Sequence, residues 1–73
     1  MNEDLIIMKN AKDLLSDIDI ISLRLLATDD VELTAEIAHR SSARVALRNH
    51  AQIVSENVNM KNKTFTLIFT LKE

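Results

Sequence analysis

From the N-terminus, apolar residues recur every three or four positions. Ile7, Met8, Ala11, Leu14, Leu15, Ile18, Ile21 and Leu25 fall on one face at about 100° per residue, with Lys9, Lys12, Asp13, Asp17 and Arg24 outside or flanking it. This spacing predicts an amphipathic helix, or two in succession. In Ser16-Asp17-Ile18-Asp19 an acid follows a serine by three residues, a variant of the capping box, so a second helix is expected from there to about Ala27. Thr28-Asp29-Asp30 then reads as a turn or a helix cap. At the other end, Phe65, Leu67, Phe69 and Leu71 alternate with Thr64, Thr66, Ile68 and Thr70, which predicts a strand, and Asn62 stands where a hairpin turn would precede it.

The middle, Glu32 to Asn57, carries both periods. Counted in twos, Val31, Leu33, Ala35 and Ile37 face a core, Ser41 to Ala43 turn, and Val45, Leu47, Ala51 and Ile53 face the core again. That phase sends Asn49 inward and Val54 outward. Counted in threes and fours, Leu33, Ile37 and Ala38 line one helix, and Leu47, Ala51, Val54 and Val58 line a second, with no polar group buried. The stretch also holds five alanines, which suit packed helices and are depleted in strands. The helical reading is favoured, and two helices joined by a three-residue turn make a helix-turn-helix.

Length and composition set the frame. A chain of 73 residues is expected to form one domain, near the lower limit for a single apolar core, and without cysteine it has neither disulfides nor thiolate metal sites. At 47% hydrophobic and 27% charged residues it has the balance of a globular domain. Glycine and proline are both absent, so turns fall to Asn, Asp and Ser. No apolar run is long enough for a membrane span and MNEDLIIM begins acidic, so no membrane association and a cytoplasmic location are expected. The net charge of -2 divides unevenly: residues 1–36 hold nine acids against three bases, and residues 37–73 hold six bases against two acids. A basic second half that also carries His39 and His50 suits an anionic partner, or the two halves neutralise one another.

Over residues 16–73 the order of parts resembles a winged helix-turn-helix domain. DIDIISLRLLAT supplies a first helix, LTAEIAHR a second, RVALRNHAQIVSEN a recognition helix and VNMKNKTFTLIFTL a hairpin wing. Glu36-Ile37-Ala38 looks like the second-helix signature, whereas Ser42 stands where glycine is usual and the turn is one residue short. The resemblance implies an α+β, mainly helical fold: a winged helix-turn-helix over 16–73 with an extra N-terminal helix over 3–15. The alternative is an N-terminal helix packed on a four-stranded antiparallel meander.

The function implied is that of a small sequence-specific double-stranded DNA-binding protein and transcriptional regulator. Arg44, Arg48, Asn49 and Gln52 on helix 44–57 would read base edges in the major groove, while Arg40, Ser41, Ser42, Lys61 and Lys63 would hold the backbone, the lysines from the 58–71 wing. The N-terminal face of Ile7, Met8, Ala11, Leu14 and Leu15 would pack on its own domain or join two copies as a homodimer. The competing reading is a non-enzymatic protein–protein interaction module or a subunit of a larger assembly, with Arg40, Arg44 and Arg48 a solvated face pairing with Glu36, and Lys61 and Lys63 guarding an edge. No phosphate loop or nucleophile motif is present, and His39 and His50 stand eleven apart without acids at metal spacing, so neither an enzyme nor a metal or cofactor site is expected.

Overall fold

The computed structural model of the protein describes residues 2–72. In chain order the elements are helix α1 (Asn2–Leu14), strands β1 (Ile20–Leu25) and β2 (Val31–Glu36), a 3-10 turn (Ile37–His39), helix α2 (Arg40–Leu47), and strands β3 (Ala51–Asn59) and β4 (Thr64–Leu71). The strands form one sheet in the order β1-β2-β4-β3, every neighbouring pair antiparallel. Because β2 and β3 both run antiparallel to β4, they are parallel to each other, and α2 is the crossover between them.

The fold is α+β with more sheet than helix, which corrects the expectation of a mainly helical winged helix-turn-helix. Residues 15–18 form a turn and bend, and Ile20, Leu23 and Leu25 of β1 pack against the core. Two adjacent β-branched isoleucines favour strand there over a continued helix. In the middle, Val31, Leu33 and Ala35 are buried in β2 as period two requires, α2 follows, and a new strand begins at Ala51. The meander alternative has the right strand count, yet the order β1-β2-β4-β3 and the intervening α2 set the fold apart from a meander.

The core lies on one side of the sheet. Ala11 and Leu15, at and just after the end of α1, and Ala43 and Leu47 of α2 close over Val31, Leu33, Ala35, Phe65, Leu67 and Phe69. In register, Ala35 stands opposite Phe65 and Val31 opposite Phe69, so a small or branched residue faces each ring. Among the described residues no polar or charged residue is buried, and no buried side-chain polar atom lacks a partner. Hydrophobic burial therefore carries the stability, at about 1.5 to 3 kcal/mol for each large side chain withdrawn from water.

Both edge strands are bulged. Ile21 interrupts the β1–β2 register and Val54 the β3–β4 register, and both side chains are more than half exposed. The turns also carry strain. Asp29, between β1 and β2, and Lys63, after β3, have φ of 68° and 57°. Aspartate tolerates this region, whereas a lysine Cβ is crowded in it. The Lys63 carbonyl accepts the Ile37 N–H at 2.9 Å, so the hairpin tip is held against the 3-10 turn. Lys63→Gly keeps that carbonyl and relieves the crowding, and is expected to raise stability by up to about 1 kcal/mol, read from the urea midpoint.

Candidate interaction surface

Strand alternation gives the sheet two unlike faces. The helices cover the face bearing the phenylalanines, and among the described residues no second layer lies on the opposite face. Its centre is made by Glu32, Thr34 and Glu36 of β2 and Thr64, Thr66, Ile68 and Thr70 of β4, with Gln52, Ser55, Asn57 and Asn59 in the matching positions of β3, and Ser22 and Arg24 in those of β1. In ladder positions of this face, Ile68 is the sole aliphatic residue among the described residues, and it stands between Glu32 and Ser55. Four strands about 4.8 Å apart and six to nine residues long give a footprint of about 400 Å².

Side-chain bonds tie the face together. The Thr34 and Thr66 hydroxyls lie 3.2 Å apart and share a hydrogen bond. Arg24 and Glu32 pair at 2.9 Å across β1 and β2. At one end the Asp30 carboxylate accepts from the Thr28 hydroxyl at 3.0 Å and from the Thr70 hydroxyl, linking the β1–β2 turn to β4. Short β-branched hydroxyl side chains lose little rotamer freedom when covered, and each can donate or accept. Such a face can form an extended hydrogen-bonded contact.

The residues expected to read DNA do not share one element. Arg40, Ser41, Ser42 and Arg44 lie on α2, Arg48 and Asn49 in the turn after it, and Gln52 on β3 facing the open side of the sheet. Helix 44–57, required to present Arg44, Arg48, Asn49 and Gln52 together, is replaced by the end of α2, a turn and most of β3. Lys61 and Lys63 do lie at the tip of a C-terminal hairpin, but the whole length of β3, roughly 25 to 30 Å, separates that tip from Arg48.

Two of the arginines already have a partner. Glu56, on the helix side of β3, accepts from Arg40 Nη2 at 3.0 Å and Arg44 Nη1 at 2.9 Å, and also bonds Arg40 Nε. Glu36, the partner expected from helical spacing, lies on the other face of the sheet. The Arg40 hydrogen bond, with the charges of Arg40 and Arg44, holds the Glu56 carboxyl below its ordinary range against a smaller opposing effect of burial, and Glu56 in turn raises the Arg40 guanidinium. A carboxyl depressed in the folded state adds stability above its unfolded pKa, about 4.3, which is lost as pH falls through the folded value. The Tm difference between wild type and Glu56→Gln is therefore expected to be largest at neutral pH and to shrink on acidification below pH 4.

The expected dimer face on α1 is turned inward. Ala11 and Leu15 are fully buried, Ile7, Met8 and Leu14 pack partly against the same core, and Leu5 and Ile6 are the exposed apolar residues of this helix. Two shallow clefts of about 450 Å³ flank the C-terminal end of α1, one lined by Asn10, Asp13, His50 and Lys72, the other by Leu14, Ile18, Val45 and Ala46. No polar side chain lining either is buried. Among the described residues no group of three or more His, Asp or Glu is placed to hold a metal ion, and no helix is long and apolar enough to cross a membrane.

The architecture thus defines a small α+β domain with a one-sided helical layer and a bare, hydroxyl- and amide-rich sheet face. No protein-family model, curated protein or solved structure matches this chain.

Proposed function

We propose that the chain is a non-enzymatic protein–protein interaction module, acting alone or as a subunit of a larger assembly, with the open sheet face as its contact surface. The observation that carries this reading is that, among the described residues, one whole face of a four-stranded sheet is left without a covering layer while the core lies on the other. Nucleic-acid recognition by a sheet draws on stacking aromatics and free cations. Here Phe65 and Phe69, the chain's aromatic residues, are both buried, and the open face carries Glu32 and Glu36 against an Arg24 already paired with Glu32. A protein partner needs neither, since threonine, serine and asparagine supply donors and acceptors around Ile68 as an apolar anchor.

The DNA-binding reading depended on a recognition helix, and the side chains assigned to base reading lie on three successive elements. Capture of partners on immobilised wild type, Ile68→Lys and Arg48→Ala tests the proposal. A partner retained by wild type and Arg48→Ala but lost from Ile68→Lys is the expected result. Loss from Arg48→Ala with retention by Ile68→Lys, together with salt-dependent binding of duplex DNA, overturns it.

A further inference from the structure

We infer that β3 is a self-pairing edge, and that two copies of the chain join antiparallel through Ser55–Asn59 with Asn57 on the two-fold axis. β3 is the longer edge strand, and beyond the bulge at Val54 its register with β4 is regular from Ser55 opposite Ile68 to Asn59 opposite Thr64. Among the described residues, no backbone hydrogen bond outside the β3–β4 ladder reaches residues 51–59, so the outward N–H and C=O groups of this stretch are unpartnered.

The two edges differ in their protection. β1 has six residues, is bulged at Ile21 near its start, follows Asp17 and Asp19, and carries Arg24. β3 contains no lysine, arginine or proline, and its one charge, Glu56, is held by Arg40 and Arg44 on the helix side. Both edges carry a bulge, but β3 has neither the shortness of β1 nor, beyond Val54, a basic side chain to guard it.

The sequence of the edge selects a second copy as its occupant. With Asn57 on the axis, Asn57 meets Asn57 and Ser55 meets Asn59 on the open face, pairs in which each side chain can donate and accept. On the helix face Glu56 meets Val58 twice, so no like charges stand opposite. An axis on Glu56 would oppose two carboxylates, and an axis on Val58 would run the pairing past Asn59 into the turn. The Asn57 register alone uses all five regular residues. It also makes the open faces continuous: two footprints of about 400 Å² approach the roughly 800 Å² per partner of a standard interface. The pairing itself does not depend on the function proposed above.

Sedimentation equilibrium of the full chain tests it. The wild-type mass should climb with concentration from 8.3 kDa towards twice that value. Asn57→Asp and Asn57→Lys should each weaken self-association at least tenfold, and their equimolar mixture should restore it, because opposite charges then meet on the axis. Amide exchange of residues 55–59 in the wild type should slow as concentration rises. Ile68→Lys should leave the dimer intact, which separates this inference from the open-face reading. A wild type that stays monomeric throughout overturns the proposal, as do self-association indifferent to both Asn57 variants, a mixture that fails to recover, or dissociation by Ile68→Lys.

Discussion

Phe65→Ala is expected to remove a third or more of the domain's stability, costing about 3 to 5 kcal/mol. Phe65 is fully buried on the central strand β4, between Ala35 of β2 and Val58 of β3. Neither small neighbour can fill the space its ring leaves. At about 0.05 to 0.15 kcal/mol per residue, a chain of 73 residues has only about 4 to 11 kcal/mol in all. Urea unfolding followed by circular dichroism should show a midpoint lowered by a third or more, or no native baseline. A shift of under 1 kcal/mol would mean that Phe65 is not in the core.

Ile68→Lys is expected to do the opposite: to leave the fold in place and abolish its contacts. Ile68 is one residue from the buried pair Leu67 and Phe69 but projects from the other face, between Glu32 and Ser55. A lysine there can extend its amine into water, so stability should change by less than about 1 kcal/mol. At the centre of a protein interface the same change replaces the apolar anchor with a charge. A loss of about 2 kcal/mol or more, roughly 30-fold in affinity, is expected by the energetics of central hot spots. A binding constant unchanged by Ile68→Lys, with the fold intact, would place the contact surface elsewhere.

These opposite outcomes three residues apart on one strand follow from an alternation visible in the sequence itself. Phe65, Leu67, Phe69 and Leu71 against Thr64, Thr66, Ile68 and Thr70 is a period of two with no competing helical phase, and this segment forms β4. The same holds for Ile7 to Leu15, whose spacing matches α1 and its buried contacts, and for the turn at Thr28–Asp30, where Thr28 and Asp30 bond. The middle was ambiguous for a physical reason: it contains both periods in succession. Val31, Leu33 and Ala35 follow the strand phase, Ala43 and Leu47 follow the helical phase, and Ala51 and Ile53 return to the strand phase.

The two residues that made a pure strand reading unattractive, Asn49 and Val54, mark the irregularities that resolve it. Asn49 sits in the turn between α2 and β3, and Val54 is the exposed bulge. A bulge resets the phase by one residue, so a strict count of two fails across it while the strand continues. In β1 the helical count takes Ile18, Ile21 and Leu25 as one face, whereas Ile20, Leu23 and Leu25 pack against the core and Ile21 is the exposed bulge. The Glu56 partner of Arg40 and Arg44 lay beyond sequence reasoning, since it depends on the crossover that brings α2 back over β3.

The most direct test of the open sheet face as the contact surface is a photoreactive side chain placed at Thr66 in the full chain, compared with one at Arg48. Thr66 lies at the centre of the bare face and Arg48 in the turn at one end of the sheet. Saturable cross-links to a discrete protein from position 66, competed by excess unlabelled wild type but not by Ile68→Lys, and absent from position 48, are the predicted result. Cross-links from position 48 alone, or from both positions without competition, would contradict it.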